Sequence, residues 1–135
     1  MDHNLLRQIF AALFACLASP AFAQDSLAGS RWLTEAIADV ALSESPQSRL
    51  EVLTEGRISG NSGCNAFTGA GQLRDGAVKI GMLATTRMAC PPAIMDQEGK
   101  FLAALGKAVR YEATSNGRLV LRDSSGDELV RFSRL

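Results

Sequence analysis

The residues with chemical potential crowd into one stretch, SGNSGCNAFTGAG, at positions 59–71. It holds Ser62, Cys64, the asparagines Asn61 and Asn65, and glycines at 60, 63, 69 and 71. Such a run serves as a nucleophile loop, a phosphate cradle or a structural turn. A serine or cysteine nucleophile needs a base to activate it. The single histidine of the chain is His3, in the N-terminal segment, so imidazole-based nucleophile pairs and most zinc sites have no partner to build on. The esterase elbow G-x-S-x-G misses by one position around Ser62. A P-loop would need lysine and then serine or threonine after its second glycine, and a dinucleotide fingerprint a third glycine where Gly69-Ala70-Gly71 runs on into Gln72-Leu73-Arg74. The remaining reading is a turn in which Gly60, Asn61, Gly63 and Asn65 take positive φ and bond their own backbone.

Cys64 and Cys90 are the cysteines left once the N-terminal segment is set aside. In an oxidising compartment such a pair is read as a disulfide. Closing the intervening loop would stabilise the domain by about 3.5 kcal/mol on the chain-entropy estimate. The competing reading is a reactive thiol with its pKa lowered by Arg87, but it lacks a C-x-x-C spacing. Asp96 and Glu98 read as helix-end charges. Asp123 and Asp127 flank a tight turn and make a weak calcium case against a solvated turn. No metal and no cofactor are expected. Phe67, like Trp32, reads first as core. The candidate contact surface is Asn61, Ser62, Asn65, Phe67 and Arg87.

Positions 1–23 carry Arg7, the apolar run IFAALFACLA, the breaker Ser19-Pro20 and then AFA. That is the layout of a secretory signal peptide with cleavage after Ala23, and the run is too short to span a bilayer. Leu13-Phe14-Ala15-Cys16 resembles a lipobox with a poorly fitting Phe14, so lipidation at Cys16 is the lesser alternative. The remaining chain, 24–135, is one domain of balanced charge. Arg7 and Asp2 leave equal numbers of cations and anions behind them. Nucleic-acid binding needs clustered Lys and Arg, and no cluster is visible.

The elements that must position these residues are mostly strands. Arg31 to Ile37 alternates with Trp32, Thr34 and Ala36 on one face, Ala38 to Ser48 reads as a loop, and Arg49 to Thr54 as a short strand. Gly56 to Ser59 leads into the glycine-rich stretch. Phe67 to Leu73 and Ala77 to Ile80 flank Asp75-Gly76, a hairpin signal. Leu83 to Met88 makes a further extended segment. From Pro92 to Val109, apolar residues at 94, 101, 102, 105 and 109 form a helical stripe. Strands return over Arg110 to Thr114, Arg118 to Arg122 and Glu128 to Ser133. The expected fold is α+β: a curved antiparallel sheet, a half-barrel, packed against one main helix.

GRISGNSGCNAFTGAGQL (Gly56 to Leu73) followed by LATTRMACPPAIMDQEGKFLAAL (Leu83 to Leu105) resembles the META domain of HslJ-like heat-shock proteins. The resemblance rests on Trp32 in an early strand, the Gly63-Cys64-Asn65-Ala66-Phe67-Thr68-Gly69 turn, Thr86-Arg87-Met88-Ala89-Cys90, and Glu98 in the helix that follows. It implies a small domain of the bacterial envelope, in many members a lipoprotein, associated with heat shock and novobiocin resistance and without established catalysis. The expected function is therefore a non-catalytic envelope stress protein in the periplasm, monomeric, acting on an envelope partner not named by the sequence. Two alternatives are an inhibitor or adaptor that inserts the disulfide-held loop into a hydrolase, and an enzyme using a thiol or the polar cluster of Arg87, Asn65 and Glu98.

Overall fold

A computed structural model describes residues 26–38, 40, 42 and 47–135. The signal-peptide and lipobox readings, with Cys16, fall outside the described residues. Eight strands and one helix follow in order: β1 (Ser30–Ile37), β2 (Arg49–Val52), β3 (Arg57–Asn61), β4 (Ala66–Arg74), β5 (Ala77–Thr85), α1 (Pro92–Lys107), β6 (Arg110–Ala113), β7 (Arg118–Arg122) and β8 (Glu128–Arg134). Each strand pairs antiparallel with its sequence neighbours, and β1 also pairs with β8, so the sheet closes into a barrel.

The half-barrel expectation is thereby corrected to a closed, mostly β barrel. The reason lies at the chain's two ends. Trp32 is in register with Arg134 and Thr34 with Phe132, Leu135 N–H donates to Arg31 O at 2.9 Å, and the Arg134 guanidinium lies 5.7 Å from the centre of the Trp32 ring. Pairing between strands this distant in sequence leaves no trace in local periodicity. Closure removes both open edges there, which an antiparallel sheet otherwise has to protect.

Alternation decides which side chains go inside. In β4, Phe67, Gly69, Gly71 and Leu73 face in while Ala66, Thr68, Ala70, Gln72 and Arg74 face out. The β4–β5 connection is the tight turn expected at Asp75-Gly76, with φ of 52° and 78° and Arg74 in register with Ala77. Two expected elements differ. Ala77 to Ile80 and the first part of Leu83 to Met88, as far as Thr85, belong to one strand, β5, whose pairing slips opposite Gly69–Gly71. That bulge breaks the period-two pattern and makes one strand read as two. Gly56 to Ser59, read as a lead-in, falls mostly in strand β3, which runs on through Gly60 and Asn61. Its Gly60 serves close approach, because a Cβ there would lie 2.1 Å from Arg49 O and 2.8 Å from Phe67 Cζ.

The helix α1 enters between β5 and β6 and packs against β8, β1 and β5. Its Phe101, Ala104 and Leu105 are buried. Phe101 meets Phe67 at 5.9 Å and Phe132 at 6.2 Å between ring centres, so the helix completes the core that Trp32, Leu50, Ile58, Leu119, Leu121 and Val130 build from the strands. Of the stripe read from sequence, Ile94 and Leu102 are half-buried and Val109 is exposed.

Among the described residues, one inward side chain is unsatisfied. Thr34 Oγ1 is buried with no hydrogen-bond partner, beside a cleft lined also by Leu42, Ser48 and Gln97. A lone buried hydroxyl carries a desolvation cost that its isostere avoids. Thr34→Val is expected to raise stability by about 1 kcal/mol, read as a higher urea midpoint at unchanged slope. A lower midpoint would mean that the hydroxyl has a partner.

Candidate functional site

The glycine-rich stretch, the segment after β5 and the helix meet at one carboxylate. The chain leaves β3 at Asn61, turns through Ser62 to Asn65 and enters β4. Gly63 makes the turn, with φ of 128°, and its N–H donates to Asn61 Oδ1 at 2.8 Å. Of the four positions expected to take positive φ, Gly63 alone does. Gly60, Asn61 and Asn65 have φ on the ordinary side because 60 and 61 are strand and Asn65 is held by side-chain bonds.

Glu98 is the centre. Ser62 Oγ shares its proton between Glu98 Oε1 at 2.6 Å and Asn65 O at 2.9 Å. Asn65 N–H donates to Oε1 at 2.6 Å and Asn65 Nδ2 to Oε2 at 2.9 Å. Asn65 also reaches the segment before the helix: Oδ1 accepts from Met88 N–H at 2.6 Å and from Thr86 Oγ1 at 2.9 Å, while Nδ2 donates to Met88 O at 3.2 Å. Beside this hub, Gln97 Nε2 donates to Ser48 Oγ at 3.3 Å, and Ser48 Oγ to Ser62 O at 3.0 Å. Ser48, Ser62, Asn65, Gln97 and Glu98 are all buried.

Burial opposes ionisation of Glu98, but hydrogen bonds from Ser62, the Asn65 side chain and the backbone N–H groups of Asn65 and Cys64 outweigh it. The carboxyl is held below its usual range. An ionised carboxylate accepting several aligned donors is a strong junction between turn and helix.

Reading Glu98 as a helix-end charge is therefore corrected. It lies inside α1, on the buried face, with no acidic residue in the first turn. The signal was present: 97 and 98 fall four and three residues before 101, so the apolar stripe passes through them. Asp96 points outward to Lys100 at 3.2 Å. Asp123 Oδ1 accepts the N–H groups of Ser125 and Asp127 at 3.0 Å each, which makes the turn. Among the described residues, no group of three or more His, Cys, Asp or Glu is placed to hold a metal ion.

Cys64 and Cys90 form a disulfide, with Cα atoms 6.0 Å apart across a sequence separation of 26. It ties the turn to the residue that precedes the Pro91-Pro92 entry into α1. The candidate contact surface divides. Ser62, Asn65 and Phe67 are buried and Asn61 is half-buried, so they do not form an exposed loop tip. Arg87 is exposed, so of the suggested polar cluster the structure brings together Asn65 and Glu98.

A closed antiparallel barrel plugged by one helix, with a disulfide and a buried glutamate joining turn to plug, defines a small stapled β-barrel domain. The family model of the META domain matches residues 25–134, and the chain belongs to that family. None of the curated proteins compared matches the chain. Among solved structures it is similar to one described as the NMR structure of a protein from Burkholderia xenovorans, with a TM-score of 0.67 and 28% identity, over 87% of this chain and 94% of that one. It also shares its fold with a DUF4847 family protein from Bacteroides vulgatus, solved by crystallography. There the TM-score is 0.60 and the identity 14%, over 79% of this chain and 93% of that one. No helix among the described residues is long and apolar enough to cross a membrane.

Proposed function

We propose that this META domain protein is an exported, non-catalytic protein of the cell envelope, of the HslJ-like kind, that acts in stress by binding a partner. The observation carrying this reading is the fate of the chemically capable residues. Cys64 is closed in a disulfide, and Ser62, Asn65 and Glu98 spend their hydrogen bonds on one another and on the segment entering the helix. Groups so engaged brace a scaffold. The signal-like N-terminus and a disulfide at home in an oxidising compartment support export to the periplasm. Heat-shock and novobiocin links belong to the proposal through the HslJ-like resemblance.

The inhibitor reading needed the disulfide-held loop as an insertion surface, and burial of Ser62, Asn65 and Phe67 speaks against that use. Capture of partners on the folded, oxidised protein from envelope extracts tests the binding reading. One stoichiometric envelope protein, retained by the native fold and lost after reduction and unfolding, is the expected outcome. Turnover of a substrate that disappears in Arg87→Ala at unchanged stability would replace the reading with an enzymatic one.

A further inference from the structure

Strand β5 is covered by β6 only at its start. Ala77 with Arg110 is their one register pair, flanked by Val78 N–H to Val109 O and Tyr111 N–H to Gly76 O, each 3.0 Å. Beyond that point α1 takes the place in the chain where a longer β6 would have continued the ladder. Alternation then says which backbone groups of β5 are left over. Val78 donates away from β4, so Ile80 faces the same way. Thr86 N–H donates to Ala66 O on the β4 side, so Leu83 and Thr85 face away from β4. Among the described residues, no backbone hydrogen bond outside the β4–β5 ladder reaches positions 79–85. The strand lies at the surface: Met82 is 96% exposed, Gly81, Ala84 and Thr85 are exposed, and Ile80 and Leu83 are half-buried.

Native edges are usually blunted by charge or proline. Residues 80–86, Ile-Gly-Met-Leu-Ala-Thr-Thr, contain neither. Cations bracket the run instead. Lys79 and Arg87 are both exposed and neither is in an ion pair among the described residues. This arrangement selects against a second copy of the chain. Antiparallel self-pairing that overlays the uncharged runs would set Lys79 opposite Arg87 at both ends, and like charges directly opposed destabilise a ladder. Carboxylates in those places would turn the repulsion into attraction.

We propose that the free edge of β5, from Ile80 to Thr85, receives an extended peptide of a partner protein as an added strand, uncharged in its middle and acidic at its ends. Main-chain hydrogen bonds to Ile80, Leu83 and Thr85 supply the pairing, and Lys79 and Arg87 set the register. The inference rests on the binding reading above and names the partner's chemistry.

The probe is a capped synthetic peptide as long as the run with its two cations, alternating threonine and valine between terminal glutamates. At saturating peptide, amide exchange at Ile80, Leu83 and Thr85 is expected to slow by about tenfold or more, as added strand hydrogen bonds require. A lysine-ended peptide is expected to bind about tenfold more weakly, and the Lys79→Glu/Arg87→Glu variant to reverse that order. Alternate N-methylation of the peptide is expected to abolish the protection. Equal binding of the N-methylated peptide, or protection confined to other strands, overturns the proposal. So does a concentration-dependent dimer of the protein alone that protects these same amides. An envelope capture that returns nothing while the peptide still protects the edge overturns the partner reading and leaves the edge site standing.

Discussion

Glu98→Ala is expected to destabilise the protein by about 3 kcal/mol, since several buried donors lose a charged acceptor at once. For a domain of this size that corresponds to a fall of about 10–15 °C in Tm. The donors are Ser62 Oγ, Asn65 N–H and Asn65 Nδ2. Glu98→Gln is expected to fall in the same direction, because it trades one acceptor oxygen for a donor facing other donors. Urea titration of both variants measures this. A loss under about 0.5 kcal/mol, the range of an ordinary surface substitution, would remove Glu98 from the centre of the site.

The same residue gives a pH dependence whose sign is set by its lowered pKa. An unfolded glutamate titrates near about 4.3. Its stabilisation is fully present above that value and is lost as pH falls from there through the lower folded pKa. The gap in stability between the native protein and Glu98→Gln should therefore be constant from neutral pH down to about 5 and narrow in more acidic solution. A gap that widens on acidification would contradict the assigned direction.

Removing the disulfide is the second large effect. The Cys64→Ala/Cys90→Ala variant, or the reduced native protein, is expected to lose about 3.5 kcal/mol on the chain-entropy estimate. The bond joins the turn before β4 to the segment before α1, and Asn65 joins the same two segments through Met88 and Thr86. The two devices restrain one contact, so their effects are coupled. Combining the cysteine substitutions with Glu98→Ala should cost less than the two losses added together, because a segment freed by one change has less left to lose by the other. Urea midpoints of the three variants form the test. Full additivity would show that disulfide and carboxylate hold separate parts of the fold.

Much of the element content was legible in the chain. Asp75-Gly76 announces its hairpin, the alternation of β4 is complete, and the stripe through Phe101 and Leu105 marks the helix. The staple was legible as well, since Cys64 and Cys90 had no other partner in the domain. The polar site was legible only in part. Glu98 falls three residues before Phe101 on the helical stripe and Asp96 does not, but that spacing gives its direction and not the donors it meets there. Likewise Gly60 looks like a turn residue, and its reason is a backbone that passes too close for a Cβ.

The sequence by itself determined most of the strands, the helix, the cystine and the family, because each is written in spacing over a few residues or in a run of motif. Only the tertiary structure decided that the sheet closes, that Ser62 and Asn65 turn inward to Glu98, and that β5 keeps a free edge. Those depend on which distant strands pair and where the helix interrupts them. Pairing is a property of surfaces brought together on folding, and local periodicity, which records one element at a time, does not encode it.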